Sequence, residues 1–266
     1  MAFICRTLEV SRSNYYQRQG EDAVGEIEKK LSDDELLEHI KNVTDERPKY
    51  GYKRVTAVLR KFIRVNHKRV YRVMKENNLL LQKFGKRPTR THDGKVETIA
   101  SNVRWCSDSF KIQCWNGDKL EVAFSLDCHD REAISWVVSS KGISGELVRD
   151  LMTETFETRF NSRPNYKVQW LTDNGAGHTA RETVFFGRSL GLEICTTAPY
   201  GPESNGMAEA FVKTFKRDYV YVNDLSSAER VLAQLPSWFK DYNENAPHKA
   251  LGMLSPREYL RLNRVS

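Results

Sequence analysis

The spacing of apolar residues changes near residue 100. Before that point they recur every three or four positions; after it they come in short runs separated by turns. In "SDDELLEHIKNV", Leu36, Leu37, Ile40 and Val43 fall on one face, which predicts a helix. Ser32 stands three residues before Glu35, the spacing of a capping box, and the acids of the first turn suit the helix dipole. "KRVTAVLRKF" repeats the pattern with Val55, Val58, Leu59 and Phe62. Asn66 then caps "HKRVYRVMKENN", where Val70, Val73 and Met74 face inward and Lys68, Arg69, Arg72 and Lys75 face out. Upstream, "ICRTLEVSRSNYYQR" reads as two short helices around a turn at Glu9–Ser11, the back half of a helix-turn-helix.

Beyond residue 100 the runs are rich in β-branched and aromatic residues. "VRWCSDSFKIQC", "KLEVAFSLDC" and "AISWVVSS" predict three strands, and the Asn-Gly-Asp turn between the first two predicts a hairpin. Ser144 caps an amphipathic helix with Leu147, Val148, Leu151 and Phe156 inward. "VQWLTD" is a fourth strand, "ARETVFFGRSL" a helix stopped by Gly191, and "LEICTT" a fifth strand. A long helix follows, roughly from Ser204 to Val222, with Ala208, Val212, Phe215 and Tyr219 toward the sheet. The order β-β-β-α-β-α-β-α implies an α/β fold: a mixed five-stranded sheet with packed helices, preceded by a small all-α region.

Charge separates the same two regions. The net charge is +7, but residues 1–98 carry 22 Lys/Arg against 14 Asp/Glu, and the rest is nearly balanced. From Arg47 to Lys75 there are eleven basic residues and no acidic one. An acid-free block of that length favours a polyanion partner, because it concentrates phosphates. Three short helices, the last with a basic outer face, also suit a helix-turn-helix presenting a recognition helix to DNA. No apolar run reaches the roughly 20 residues of a membrane span, and the N-terminus lacks a secretory signal. Five scattered cysteines read as free cytosolic thiols, so the expectation is a cytoplasmic protein with neither a disulfide framework nor a zinc cluster. His178 reads as a solvated turn residue.

Three carboxylates have a more specific arrangement. Asp108 lies within the first strand of the sheet, and Asp173 ends the fourth in "LTDNGAGH". An Asp-Asn-Gly turn by itself is an ordinary chain reversal. Glu209, however, follows after 35 intervening residues, in the first turns of the long helix, with Lys213 and Lys216 on the same sector. Asp118 falls in a turn, Asp127 and Asp130 cluster at the end of the second strand, and Glu203 precedes the helix; these are the rival acids.

The set Asp, then Asp-Asn-Gly, then Asn-Gly-x-x-Glu resembles the DDE transposases and retroviral integrases. "YGYKRV", "VNHKRVYRVMKENNL", "PESNGMAEAFVKTFKRDYV" and "YNENAPHKALGMLSPREYL" resemble most closely the OrfB transposases of the IS-three family of bacterial insertion sequences, in its IS-two-like subgroup. The resemblance runs over nearly the whole chain. It implies an RNase H-like core in which Asp108, Asp173 and Glu209 are catalytic and hold two Mg²⁺ ions, with Mn²⁺ as a substitute. Asn174, Lys213 and Lys216 would contact DNA there, and Lys68, Arg69, Arg72 and Lys75 at the front. The partners implied are double-stranded DNA, both element ends and target, a second copy of the chain on DNA, and the product of an upstream reading frame joined by frameshifting. The zinc-binding His/His/Cys/Cys module of retroviral integrases is absent from the sequence.

The division expected is a partial helix-turn-helix (1–30), a helical DNA-binding domain (31–81), a basic linker (82–98), the catalytic core (99–225) and a C-terminal helical extension (226–266). The resemblance implies cleavage at an element end and strand transfer. A non-catalytic DNA-binding regulator or inhibitor derived from a transposase is the alternative, and the intact carboxylates weigh against it. A nuclease of the RNase H type would not need the basic front.

Overall fold

The computed structural model describes residues 31–82, 98–173, 175–196 and 205–263. The expected partial helix-turn-helix and nearly all of the expected linker lie outside these residues.

The front consists of α1 (Asp33–Glu46), α2 (Tyr52–Leu59) and α3 (His67–Glu76). The capping box forms: Ser32 Oγ accepts from the Glu35 N–H at 3.2 Å, and the Glu35 carboxylate accepts from the Ser32 N–H at 2.7 Å. Asn66 caps α3 by accepting from the Lys68 N–H. Leu36, Ile40, Val55, Leu59, Val70, Val73 and Met74 form one buried cluster with Tyr50. One expected core residue is outside it. Helix α2 stops at Leu59, the chain turns toward Asn66, and Phe62 is left 81% exposed. Thr56 is buried in its stead, its hydroxyl donating to the Tyr52 carbonyl.

The core elements are β1 (Arg104–Gln113), β2 (Lys119–Asp127), β3 (Ala133–Ser139), α4 (Gly145–Arg159), β4 (Val168–Thr172), α5 (Ala176–Thr179), α6 (Arg181–Leu190), β5 (Leu192–Thr196), α7 (Gly206–Asp218), α8 (Ala228–Glu244) and α9 (Pro256–Asn263). The five strands are ordered β3-β2-β1-β4-β5. The two hairpin pairs are antiparallel, and β4 runs parallel to both β1 and β5. Helices therefore cover both faces, as a sheet with crossover connections requires.

Side-chain alternation along β1 feeds two cores. Cys106, Phe110 and Ile112 join the cluster under α7 and α8, while Trp105 packs with Trp170 and the α4 residues Val148, Leu151 and Met152 on the other face. Residues of α8 (Val231, Leu235, Trp238, Phe239, Tyr242) share the first cluster with Phe211 and Phe215 of α7. This helix is thus continuous with the core of the sheet.

Two expected inward faces are rotated. On α4 the fully buried set is Val148, Leu151, Met152 and Thr155, with Leu147 and Phe156 only half-buried. Thr155 tolerates burial because its hydroxyl bonds the Leu151 carbonyl and the Ser125 and Ser135 hydroxyls. On α7, Phe211 is the central contact, 4.4 Å from Phe124 and 4.9 Å from Tyr242 between ring centres, and Val212 is only partly covered.

Candidate active site

Strand register brings the first two carboxylates together. In the parallel β1–β4 pair, Cys106 is opposite Leu171. Asp108 stands two residues further on within β1, and Asp173 two residues beyond Leu171, just past the end of β4; the charge of Asp173 is felt at Asp108. A side-chain period of two gives Asp108 the same facing as Cys106, which belongs to the cluster under α7. Asp108 accepts the Ser109 N–H at 2.7 Å and Asp173 accepts the Gly175 N–H at 3.0 Å. The Asx turn expected for Asp173 therefore forms, through one of its two oxygens.

The third carboxylate arrives on α7. Ala208, Phe211 and Phe215 bury that helix against β1 and β2, with Phe215 5.6 Å from Phe110. Glu209 is left on the open side, its carboxylate 3.5 Å from Lys213 Nζ. One turn further on, Lys216 reaches over the Phe110 ring, 5.7 Å from its centre.

Electrostatics report the convergence. Burial pushes the Asp108 carboxyl up to about 6; the charges of Asp173 and Glu209 add to the rise, against the Ser109 N–H. A site where two neighbouring carboxylates disfavour the ionisation of a third favours a cation. Its donors are all oxygen, the set a hard divalent ion takes. Among the described residues no three acidic, histidine or cysteine side chains close into a metal cage. Asp173 and Glu209 both stand within electrostatic range of Asp108.

The rival acids are engaged elsewhere. Asp118 accepts from Asn116 and the Ala228 N–H in the β1–β2 turn. Asp127 and Asp130 are buried; Arg159 holds Asp130 with two contacts at 3.0 Å and reaches Glu132 at 2.9 Å. Glu203 and Asn174 lie outside the described residues. His178, expected in solvent, is buried in α5, and that burial lowers its pKa against the attraction of Asp173. Its one-turn helix packs close to the start of α4, where a Cβ on Gly177 would meet the Ile143 carbonyl at 3.3 Å.

At the front, Lys68 and Lys75 are exposed, as the pattern on α3 predicts. Arg69 and Arg72 both bond Asp33, at 2.8 and 2.6 Å, and Arg72 also meets Glu76. Sequence reasoning missed the use made of three other cations of the acid-free block. Arg47, Arg54 and Lys61 pair with Asp241, Asp218 and Glu258 of the core, each at 2.7 Å. These acids lie more than 160 residues away along the chain, beyond the reach of any local pattern.

Comparison with known proteins covers both regions. Models of the integrase core domain match residues 100–202 and 190–256, and a model of an HTH-like domain matches residues 32–87. The chain is 44% identical over 273 residues to transposase InsD for insertion element IS2A/D/F/H/I/K of Escherichia coli, a span of 98% of this chain and 91% of that protein. It is equally similar to the InsD transposase of the IS2 element on the F plasmid of Escherichia coli strain K12, over the same shares of each. Its fold is similar to that of a chain in the simian T-cell lymphotropic virus intasome, solved in complex with PP2A regulatory subunit B56 gamma. That likeness has a TM-score of 0.51 at 16% identity and covers 83% of this chain and 73% of the other.

Proposed function

Given that this chain belongs to the DDE transposase and integrase superfamily, on its insertion-element branch, we propose that Asp108, Asp173 and Glu209 are its catalytic carboxylates. The protein is a transposase, a polynucleotidyl transferase with a DNA-binding helical front, and its family works with divalent metal. The observation that carries the assignment is placement: Asp108 and Asp173 stand two residues beyond the paired Cys106 and Leu171 of adjacent strands, and Glu209 lies in the first turn of α7, with the charges of both Asp173 and Glu209 felt at Asp108.

Asp108, Asp173 and Glu209 would together hold two Mg²⁺ ions, and Mn²⁺ would serve in their place. When bound, such a pair offsets charge on the attacking and leaving oxygens of an in-line phosphoryl displacement. In the first step water attacks the scissile phosphorus at an element end. The bond to the 3′-oxygen breaks, and that oxygen takes up a proton to become a 3′-OH. In the second step the 3′-OH attacks another phosphodiester, and the bond to its leaving oxygen breaks in turn. By analogy with its family, the first joining links the element's own ends, and insertion into target DNA follows. Asn174, Lys213 and Lys216 hold the strand beside the carboxylates. Lys68, Arg69, Arg72 and Lys75 hold duplex DNA at the front. Acting on two ends calls for at least two copies on DNA, and the active form is the fusion with the upstream frame's product, working in the bacterial cytoplasm. The chain divides as 1–30, 31–81, 82–98, the core 99–225, and 226–266 as the helical extension of that core.

The test is a divalent-metal cleavage and joining assay on element-end DNA, with the upstream product supplied. Glu209→Gln keeps the shape and removes the charge a metal needs, so both steps fall together while DNA binding survives. Glu203→Gln leaves both largely intact. A dead Glu203→Gln beside an active Glu209→Gln would require the site to be redrawn.

A further inference from the structure

The front and the core meet through a polar junction with one-sided charge. Every ion pair described across it takes its cation from the front and its anion from the core: Arg47–Asp241, Arg54–Asp218 and Lys61–Glu258. The apolar cluster of the front stays separate from the two clusters of the core. Clefts of about 570 and 460 Å³ open along the junction. Relative placement of the two bodies therefore depends on the geometry of a few side chains more than on a shared apolar core.

Those side chains form a compact box. Arg47 grips Asp241 with two parallel contacts of 2.7 Å, and Asp241 also accepts the Tyr219 hydroxyl at 2.9 Å. Tyr50 is 2% exposed, with the guanidinium groups of Arg47 and Arg54 over its ring at 5.4 and 4.5 Å. Arg54 donates to Asp218, whose side chain is only 4% exposed. Asp218 is the last residue of α7, the helix that carries Glu209. The two are nine positions apart, which is about 13 Å along a helix. Forked, partly buried ion pairs add little net stability, but they fix orientation closely.

We propose that Arg47, Tyr50 and Arg54, the "RPKYGYKR" segment, are positioning residues. They clamp the helical front to the far end of the Glu209 helix, so that DNA held by the front reaches the carboxylates at a set distance. They are not phosphate ligands, although they belong to the acid-free block. The inference rests on the reading that the front holds DNA and the three carboxylates cut it.

The test exchanges charge across the Arg47–Asp241 pair in the full chain, supplied with the upstream product. Arg47→Asp, Asp241→Arg and the double exchange are measured for affinity to element-end DNA and for single-turnover cleavage at saturating DNA. Fluorescent probes on α1 and α8 report the spread of distances between front and core. Misplacement of a bound substrate by about an ångström costs on the order of 100-fold in rate, so each single exchange should slow cleavage by about ten-fold or more. Affinity should change by less than about threefold, and the double exchange should restore both rate and distance spread. Arg47→Lys, which keeps the charge and loses the fork, should fall between, and serves if a reversal fails to fold.

Three results would overturn the clamp: faster cleavage in the single exchanges, which marks a brake; weakened binding in proportion to the lost rate, which marks a DNA contact; or no recovery in the double exchange. Glu209→Gln is run alongside. If it still cuts, the carboxylate assignment fails, while the distance measurement continues to judge the clamp by itself.

Discussion

Arg159 holds Asp130 with both terminal nitrogens at 3.0 Å, where the two side chains are 3% and 0% exposed. Glu132 lies 2.9 Å from the same guanidinium, and Asp127 stands at the edge of its reach. One cation thus serves three buried carboxylates, with Arg257 reaching Glu132 from α9.

Replacing Arg159 with Met keeps much of the volume and leaves those carboxylates without their central partner. Removing one side of a buried charge network costs about 3–5 kcal/mol, because the remaining charges stay desolvated. Burial, then the charge of Asp130, already pushes the Asp127 carboxyl up against the pull of Arg159. The expected outcome is a urea midpoint lowered to match, with Asp130→Asn/Arg159→Met less damaged than the single change. A loss under about 1 kcal/mol would mean that solvent reaches the network and screens it.

Gly187 sets two effects against each other. An Ala in the middle of α6 gains about 1 kcal/mol in helix propensity. Its Cβ, however, would lie 2.6 Å from Ile194 Cδ1 and 3.3 Å from Met152 Sδ. Overpacking of this kind costs about 1–3 kcal/mol, so Gly187→Ala should lower stability by about 1 kcal/mol. Ile194→Val removes the clashing methyl, and the double variant should be more stable than the two losses summed. Thermal midpoints of the three variants check this. A gain in Gly187→Ala alone would show that β5 yields to the added methyl.

Much of the architecture was legible because it is local. All five strands and the caps at Ser32, Asn66 and Ser144 follow from period and capping chemistry. The approach of Asp108 to Asp173 was readable only in outline: each residue sits at a predictable place on its strand, but nothing local says that β1 and β4 are neighbours. The acid-free block misled in a different way. Its neutralising acids Asp33, Asp218, Asp241 and Glu258 lie outside the block, three of them far along the chain. Buried Phe211 and exposed Phe62 mark another limit, since a helical face is read to within about a residue and a helix end to a few.

The Arg47–Asp241 pair should give the junction an acid limit. Burial pushes the Asp241 carboxyl up, but the Arg47 guanidinium, Asn245 and the Tyr219 hydroxyl outweigh it and hold its pKa below the ordinary value of 3.8. A carboxyl depressed on folding adds stability above its unfolded pKa, and that stability is lost as pH falls through the folded value. Contact between front and core should therefore hold from neutral pH to about 4 and loosen below it. Hydrogen exchange in α1 and α8 as a function of pH checks this. Asp241→Asn should remove the pair's share of the acid dependence and leave the junction looser at neutral pH.

Salt dependence of DNA binding separates the cations of α3 from one another. Each phosphate contact steepens the fall of log K with log salt by about 0.9. Lys68 and Lys75 are exposed, and among the described residues neither has an ion pair. Each should therefore contribute a full contact, and Lys68→Ala or Lys75→Ala in the whole chain should flatten the slope by about 0.9 with little change in stability. Arg69 and Arg72 share Asp33, which ties α3 to the start of α1. A phosphate reaching either one must compete with that carboxylate. Arg69 is also bonded to the Leu31 carbonyl, so Arg69→Ala should loosen the front while changing the slope by less than Lys68→Ala does. Arg72, half exposed and paired at both ends with acids, should fall between. If Arg69→Ala flattens the slope as much as Lys68→Ala and leaves the melting temperature alone, Asp33 gives up its partners on DNA, and the four cations contribute equally to phosphate binding.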